Sequence, residues 1–466
     1  MQNRRDFLKM GIVGSAFLPT FANLIAKADQ KNSVGQGKVR EINIGIVGYG
    51  TMGKILSNYL ARCEGVRVRC VCDIWKFQVK QAEHVFKAYK QEINTYLDFQ
   101  EMLAAEAKNI EAVIVSTPDW LHCEQVCACL RRQLHVYCAA PMAETLEKSA
   151  EMCRVAKASG KLLQIGYLRR SSPTYQLAFK HVIPEMLGRL TFAQAESRRP
   201  MSPMFMCKRP PKQDVLSRFG YENAEQYLNW RWFRKYGPGL ALSFLASQAD
   251  LFCQAWGVPP HSVTAVGGHD SYRSLRENLD SLFSIFEFKL PDGFTAHATH
   301  HFATVSARTR PCFEEFNGIR AILHLSDHSL WPKMNGPANY VRRTANLPLE
   351  EYENKWSAFV EKGWILPSEV DREYKTGFET ECGASELRDD ASFICQLNVK
   401  RDGKPDVMFH LENFLAAIRG KATLNAPADR KFASMVAAFG AIGTIGAIRS
   451  AARRETVYFK PSDFTP

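Results

Sequence analysis

Three glycines lie close together near the start of this chain, in the motif Gly48-Tyr49-Gly50-Thr51-Met52-Gly53. The motif stands between an apolar run, INIGIV, and an amphipathic run, MGKILSNYLARC. Glycines at this spacing permit a tight turn, close approach of a pyrophosphate and close packing of a helix on a strand, with the phosphates at the helix N-terminus. All six residues of the motif are therefore predicted to contact a dinucleotide. A tight turn without a ligand is the alternative.

An aspartate in the second apolar run strengthens this interpretation. Asp73 ends the run VRVRCVCD and lies twenty residues after Gly53. An acidic side chain at that distance accepts hydrogen bonds from the ribose hydroxyls and repels a 2′-phosphate. The pattern therefore predicts NAD as the cofactor. NADP is less favoured, although Lys76 nearby leaves some room for its phosphate.

The elements that position these residues follow from the spacing of the apolar runs. INIGIVG, VRVRCVCD, AVIVSTP, HVYC and KLLQIGY are separated by segments of helical length. This alternation is typical of βαβ units and a parallel sheet, so residues 42–166 are predicted to form an α/β Rossmann domain. A second glycine set, Gly440, Gly443 and Gly446, lies in an apolar helical pattern and is interpreted as helix packing.

The chain from 167 to 466 shows a different pattern, which predicts an α+β domain. SLFSIFEFKL and FTAHATHHFA flank Pro291-Asp292-Gly293, a typical hairpin turn. LTFAQAES, HSVTAVGG and FNGIRAILHL are further candidate strands, and HLENFLAAIRG is a candidate helix. We expect an antiparallel or mixed sheet with a few helices on it. The segment 330–405 is polar and poorly periodic, and is predicted to form long loops and short helices.

The N-terminus carries the features of an export signal. Arg4 and Arg5 precede an apolar run from Met10 to about Ile25, which ends in AKA at 26–28. A charged start, a short apolar core and small residues predict a signal peptide over 1–28, and the paired arginines favour the twin-arginine route to the periplasm. A Sec signal or an uncleaved anchor is the alternative. Residues 29–41 are interpreted as a linker, and no stable membrane insertion of the mature chain is expected.

Composition excludes several other classes of protein. Lys plus Arg number 60 and Asp plus Glu 48, which gives a net charge of +12, but the charges are scattered and do not predict nucleic-acid binding. The 13 cysteines occur in runs such as CVC and CEQVCAC, which are interpreted as small buried hydrophobic residues. Their spacing is not that of a zinc ribbon. His297, His300 and His301 lie on one predicted strand with mixed facing, so no metal site is predicted.

The motifs together resemble those of the Gfo/Idh/MocA oxidoreductases, and the resemblance covers nearly the whole mature chain. It begins at INIGIVGYGTMG and continues through STPDWLH at 116–122, QIGYLRR at 164–170, NWRWFRKY at 229–236 and HLENFLAAIRG. It implies a Rossmann domain, an open-sheet second domain, and action on sugars, inositols or glycosides. The family's loop that matches 116–122 flanks the nicotinamide, which by resemblance adds these cofactor contacts: Ser116, Thr117, Pro118 and His122.

The chain departs from the family at the two groups that handle the proton. The family's Glu-Lys-Pro signature reads Ala139-Ala140-Pro141, and its Gly-x-His-x-x-Asp motif reads Leu245-Ala246-Ser247-Gln248-Ala249-Asp250. Ala140 and Ser247 therefore occupy the usual lysine and histidine positions. Because one general acid or base supplies about 10²–10⁴ in rate, turnover is expected to be poor.

Other residues are candidates to replace the missing pair or to hold the substrate. Tyr167 and His122 are predicted as substitute catalytic groups. For Tyr167 the alternative is a half-buried aromatic residue at a domain junction. By resemblance, the substrate contacts are predicted to be Arg169, Arg170, Trp230, Trp232 and Asp250. Surface or phosphate contacts for the arginines and core packing for the tryptophans are the alternatives.

Two hypotheses follow for the function. In the first, the chain is a catalytically impaired, NAD-binding subunit that supports an active paralogue. In the second, it is an active glycoside dehydrogenase or NAD-dependent glycosidase that uses substitute acid and base groups. Expected partners are a sugar or glycoside and either a second copy of the chain or the paralogue.

Overall fold

A computed structural model describes residues 39–198, 205–269, 276–304, 312–326, 339–343, 357–367, 394–428 and 445–460. The predicted signal peptide and most of the predicted linker lie outside these ranges, as do Gly440 and Gly443. The described residues from Glu41 onward belong to one compact unit. None of the helices in the described ranges has the length and apolarity that a bilayer crossing requires.

The apolar runs of the first domain form a six-stranded sheet with the order β3-β2-β1-β4-β5-β6. Every neighbouring pair is parallel. The strands are β1 (Ile42–Val47), β2 (Val66–Cys72), β3 (Asn94–Tyr96), β4 (Ala112–Val115), β5 (His135–Cys138) and β6 (Leu163–Ile165). The helices between them are α1 (Thr51–Leu60), α2 (Lys76–Ala88), α3 (Phe99–Glu106), α4 (His122–Arg131) and α5 (Leu146–Ser159). This is the predicted Rossmann domain, and its strand order reverses between β1 and β4, where such sheets bind dinucleotides.

The second domain contains the other sheet and a long helix. A short 3₁₀ turn (Leu168–Ser171), α6 (Pro173–Leu177) and a π-helical segment (Ala178–Leu187) lead into β7 (Leu190–Arg198). Then come α7 (Gln213–Arg218), α8 (Ala224–Leu228), α9 (Leu240–Trp256), β8 (Ser262–Gly268), β9 (Ser281–Lys289) and β10 (Thr295–Ala303). The remaining elements are β11 (Phe313–Gly318), β12 (Ala321–Ser326), β13 (Tyr340–Arg343), β14 (Ile365–Pro367), β15 (Ile394–Leu397), α10 (Asp406–Ile418) and β16 (Val457–Tyr458).

In the described residues the second sheet is mixed and has ten strands, in the order β14-β15-β13-β12-β11-β7-β10-β9-β8-β16. Only β7 and β10 pair in parallel; the other neighbours are antiparallel. The hairpin predicted at Pro291-Asp292-Gly293 is confirmed, with Gly293 at φ +85. Helix α9 packs on the face of β7, β9 and β10.

Two predictions for this domain are wrong. FNGIRAILHL does not form one strand: β11 and β12 form a hairpin that turns at Ile319 and Arg320. The segment 330–405 is not only loop and helix, because β13, β14 and β15 extend the sheet edge there. These strands have three or four residues each. They are too short to show the alternation that identifies a strand in sequence.

Helix α10 returns from the second domain and completes the core of the first. Its buried face, including Leu411 and Phe414, packs in one cluster with residues of β1 and α1. The Gln164 side chain donates to the His410 carbonyl at 2.9 Å, and His410 Nε2 lies 2.9 Å from the Ile165 carbonyl. The predicted boundary at 166/167 therefore describes the order of the chain, whereas the Rossmann core also needs residues 406–418.

The described cysteines are all free, and all but Cys207 are buried. This agrees with the prediction that the cysteine runs are buried in strand and helix. The prediction that the histidines of this strand point to different faces of the sheet is confirmed for His300 and His301. His300 contacts Gln248 of α9, while His301 stacks on Phe283.

Candidate active site

The glycine motif forms the turn between β1 and α1, and its three glycines have different surroundings. Gly48 has φ +89, and a Cβ there would lie 2.8 Å from the Ser116 carbonyl carbon. A Cβ at Gly53 would lie 2.1 Å from the Gly48 oxygen. A Cβ at Gly50 would meet nothing within 4 Å. Two glycines are therefore required by packing, and the third leaves open space before the helix.

The N-terminus of α1 is free to bind an anion. Gly50 is the N-cap residue, no side chain caps the helix, and no acidic residue stands in its first turn. Thr51 and Met52 are exposed. The first amide groups of a helix have no intrahelical partner and carry positive dipole charge. The open space at Gly50 and these amides fit the pyrophosphate of a dinucleotide.

Asp73 lies just after β2 and also organises the glycine turn. Its Oδ2 accepts from the Tyr49 amide and its Oδ1 from the Trp75 amide, both at 2.8 Å. Burial raises the pKa of Asp73, and these two hydrogen bonds oppose the rise. The Tyr49 side chain is buried in the core, so its place in the cofactor site is limited to the backbone.

We expect Asp73→Asn to weaken NAD binding by roughly tenfold and to weaken NADP binding less. The change removes a charged acceptor for ribose hydroxyls, and hydrogen bonds to charged groups contribute about 1.5–3 kcal/mol. It also removes the charge that repels a 2′-phosphate. Calorimetric titration with each dinucleotide measures both effects. Glu83→Gln, at an exposed position of α2, is the control. Equal losses of affinity for NAD and NADP in Asp73→Asn would contradict the role of Asp73.

The loop after β4 holds the glycine turn in place. Ser116 Oγ donates to the Gly48 carbonyl at 2.8 Å, and Thr117 Oγ1 donates to Gln125 at 2.6 Å. Ser116 is buried, whereas Thr117 and Pro118 are half-buried. Ser116 thus supports the cofactor loop, and Thr117 and Pro118 are the members of this loop that reach its surface.

His122 does not have the surroundings of a catalytic group. It is completely buried, with Nε2 2.9 Å from the Thr117 carbonyl and Nδ1 3.0 Å from the Pro141 carbonyl. Both ring nitrogens are thus occupied by backbone acceptors. The structure contradicts the predicted proton transfer by His122, because neither nitrogen is available to a substrate; the residue links the loops after β4 and β5.

Tyr167 is also buried, and the described residues offer its hydroxyl no hydrogen-bond partner. Burial raises the pKa of Tyr167 well above its usual value, and the Asp250 charge adds to the rise. A phenol held in its protonated form can donate a hydrogen bond but is a poor base. Tyr167 is therefore placed as a hydrogen-bond donor, and its role as a substitute catalytic group stays a prediction.

The segment from Ala139 to Pro141 follows β5, and the Ala140–Pro141 peptide is cis. Ala139 is buried and Ala140 half-buried. A methyl group stands at the position where a lysine would be expected, and it cannot exchange a proton.

The position of the expected histidine on α9 is part of an internal charge network. Ser247 Oγ accepts from Arg169 Nη1 at 3.0 Å, and Arg169 Nη2 lies 3.0 Å from Glu314 Oε1. Tyr175 donates to the other Glu314 oxygen. Arg169 Nε also donates to the Tyr175 hydroxyl at 3.2 Å, so Arg169, predicted as a substrate contact, already binds three side chains of this chain.

Arg170 and Asp250 form a buried bidentate ion pair. Arg170 Nε lies 2.7 Å from Asp250 Oδ2, and Nη2 lies 2.9 Å from Oδ1. Arg170 also donates to the Asn425 carbonyl at 3.3 Å. These two predicted substrate contacts satisfy each other, and together they link the start of the second domain to α9.

The two tryptophans are core residues. Trp230 packs in a cluster with Leu216 and Tyr236, beneath the Arg231 guanidinium at 4.0 Å. Trp232 is buried beneath the Arg276 guanidinium at 3.9 Å. This packing matches the core role that was the alternative to their predicted substrate contacts.

A group of charged residues at the domain junction was not predicted. Asp119 is buried in the loop after β4, and its Oδ2 accepts from Ser243 at 3.4 Å. Burial raises the pKa of Asp119, and Arg231 opposes the rise. Glu144 is buried after β5, with Oε1 on Lys148 and Oε2 without a partner in the described residues. The STPDWLH motif, which contains Asp119, could have indicated this residue in the sequence. No motif indicated Glu144.

The first domain matches the model of a known protein family. Residues 42–167 match the family model GFO_IDH_MocA, described as "Oxidoreductase family, NAD-binding Rossmann fold". The 2,7-anhydro-N-acetylneuraminate hydratase of Escherichia coli (strain K12) is 23% identical over 249 residues, which is 53% of this chain and 59% of that enzyme. The inositol 2-dehydrogenase of Salmonella typhimurium is 29% identical over 144 residues, 30% of this chain and 41% of that enzyme. The chain thus matches 59% or less of the length of these two relatives.

Solved structures share the fold over most of the chain. Levoglucosan dehydrogenase in complex with NADH superposes with a TM-score of 0.63 at 14% identity, over 90% of this chain and 100% of that one. The WlbA dehydrogenase from Bordetella pertussis, in complex with NADH and UDP-GlcNAcA, superposes with a TM-score of 0.61 at 14% identity, over 90% and 99%. At these identities the likeness concerns the fold alone.

Proposed function

We propose that this chain is an NAD-binding sugar or glycoside oxidoreductase homologue with impaired catalysis, because residues 42–167 match the family model described as an NAD-binding Rossmann fold of an oxidoreductase family. In this proposal it supports an active paralogue and retains the cofactor site. Bound NAD supplies a hydride acceptor or donor; the residues around Gly50 and Asp73 bind and orient it.

The proposal rests on Ala140 and Ser247, which occupy the two positions where proton-transfer groups are expected. Oxidation of an alcohol needs a base for the hydroxyl proton as the hydride leaves. Ala140 has no such group, and Ser247 accepts a hydrogen bond from Arg169, a guanidinium that cannot accept a proton. Glu314 neutralises that guanidinium, so the network is complete without a substrate.

The sheet of the second domain supports a partner role. Its face opposite α9 exposes apolar side chains, with Val266 at 63%, Phe283 at 46% and Ile285 at 54% exposure. A cavity of about 430 Å³ lies on the same strands. We propose that this face contacts a second copy or the paralogue, and sedimentation of the chain alone and in the mixture measures that contact.

The second candidate function is an active enzyme with substitute groups, either a glycoside dehydrogenase or an NAD-dependent glycosidase. The specific observation in its favour is the buried pair of carboxyl groups at the junction. Asp119 has a raised pKa and Glu144 Oε2 has no partner in the described residues, which are properties of general acids and bases.

Restoring both proton-handling groups is expected to create turnover. Ala140→Lys combined with Ser247→His should raise NADH formation on a panel of sugars and glycosides by at least about tenfold, since one acid/base group supplies about 10²–10⁴. Leu245 is left unchanged because it is completely buried in the core. Ala140→Met with Ser247→Asn is the matched control, similar in bulk but without a proton acceptor.

Two outcomes separate the candidates. If the natural protein already turns over rapidly, impairment is wrong, and loss of that activity in Asp119→Asn supports the second candidate. If the natural protein is inactive and a mixture with the paralogue is more active than the paralogue alone, the first candidate is supported.

A further inference from the structure

Two cysteines and a glutamate come together on the outer side of the Rossmann domain, away from the cofactor turn. Cys123 and Cys127 are buried one turn apart on α4, and Glu151 lies on the neighbouring helix α5. One ligand atom from each of the three residues lies within 4.8 Å of the other two. The sequence did not predict a metal site because the third group is 24 residues beyond the second cysteine in the chain.

The carboxylate is oriented toward the thiols. Glu151 Oε2 lies 3.6 Å from Cys123 Sγ, while Glu151 Oε1 binds Arg131 Nη2 at 3.2 Å. Metal-binding carboxylates are commonly oriented in this way by a partner on the other oxygen. Arg131 therefore holds Glu151 with one oxygen turned to the cysteines.

We propose that Cys123, Cys127 and Glu151 bind a zinc ion. Zinc lies about 2.3 Å from sulfur and about 2.0–2.2 Å from oxygen in tetrahedral sites, which places a sulfur and an oxygen ligand roughly 3.5 Å apart. The separation of 3.6 Å between Cys123 Sγ and Glu151 Oε2 fits this value, and the other two pairs of ligand atoms lie within 4.8 Å.

A thiolate pair with one carboxylate selects a borderline-soft ion over magnesium or calcium, which prefer oxygen ligands. Each cysteine gives up its thiol proton to solvent when its Zn–S bond forms, and no electron is transferred. Glu151 has a side-chain exposure of 42%, so the ion can enter beside it and a water can take the fourth position.

A bound zinc ion would link helices α4 and α5, which follow the loops after β4 and β5. Helix α4 begins at His122, directly after the loop from β4, and α5 begins at Leu146, directly after the Ala139–Thr145 segment. Zinc between them would fix these loops relative to each other, in addition to the His122 contacts. It would also keep both thiols from oxidation.

Zinc titration of the purified full chain against a chromophoric chelator tests the site. We expect one zinc ion per chain, and a stoichiometry reduced by one in Cys123→Ser/Cys127→Ser. Cobalt should give the intense sulfur-to-metal absorption in the natural protein and lose it in this variant. Cys63→Ser is the control, because Cys63 is buried at the end of α1, outside the cluster.

Glu151→Gln provides a second variant that should fold, because Glu151 is half-exposed. It should weaken zinc binding at least tenfold and leave the thiol-to-cobalt absorption weaker but present. Zinc binding that is equal in the natural protein and in the double cysteine variant overturns the proposal. So does a natural protein that binds no zinc after its thiols have been fully reduced.

Discussion

Gly50→Asp is expected to weaken NAD binding by about 100-fold, which corresponds to about 2.7 kcal/mol, without lowering the free energy of unfolding. A side chain at this position enters open space, so folding should tolerate it. Aspartate is also a preferred N-cap residue and would stabilise α1. The same carboxylate would occupy and charge the space that the pyrophosphate needs. Calorimetry with NAD and urea unfolding of the same samples measure the two effects.

Two comparisons make the Gly50 experiment decisive. Gly50→Asn has nearly the same shape without the charge, so it should lose less affinity than Gly50→Asp. Gly53→Ala should instead lower the free energy of unfolding by about 1–3 kcal/mol, because its Cβ would overlap the Gly48 oxygen. Unchanged NAD affinity in Gly50→Asp would show that the dinucleotide does not lie at this turn.

Asp250→Ala is expected to lower the free energy of unfolding by about 3–5 kcal/mol, because it leaves the Arg170 guanidinium buried without its partner. Both side chains of the pair are almost completely inaccessible to solvent. The pair joins the start of the second domain to α9, so the loss should appear in the main unfolding transition. Urea unfolding followed by circular dichroism measures it.

The double variant Arg170→Met/Asp250→Leu separates the buried charge from the lost contact. Replacing both partners with apolar residues should recover most of the lost stability. Lys404→Ala is the surface control, because its pair with Glu412 is well exposed and should contribute less than about 1 kcal/mol. A small effect of Asp250→Ala, similar to that of the control, would contradict a structural role for the ion pair.

The Rossmann domain could be predicted because its signals are local. Most residues of the longer strands β1 and β2 are apolar, and the glycine turn lies within six residues. β3 was not predicted, because its residues are only Asn94, Thr95 and Tyr96 at the edge of the sheet. A short edge strand is defined by its pairing with β2 and has no apolar run of its own.

The sequence could predict those parts of the candidate site that lie within one short motif. Gly50 and Asp73 lie where the motif implies. Arg169 and Ser247 are 78 positions apart, so their hydrogen bond could not be deduced from either segment alone. The same holds for Arg170 and Asp250, whose separate motifs suggested substrate contacts whereas the fold makes them partners. Sequence identifies charged residues, and only the packing decides which of them are already neutralised.

Helix α10 has a consequence for how the protein is made. The ribosome completes all six strands of the first sheet before the second domain exists, but the apolar surface that Leu411 and Phe414 cover stays open until residue 418 has been synthesised. At about 5–20 residues per second, that delay is on the order of tens of seconds. We therefore expect the nucleotide-binding domain to keep part of its apolar surface exposed until α10 has been made. The form that is ready to load NAD is reached only late in synthesis, when the returning helix has docked.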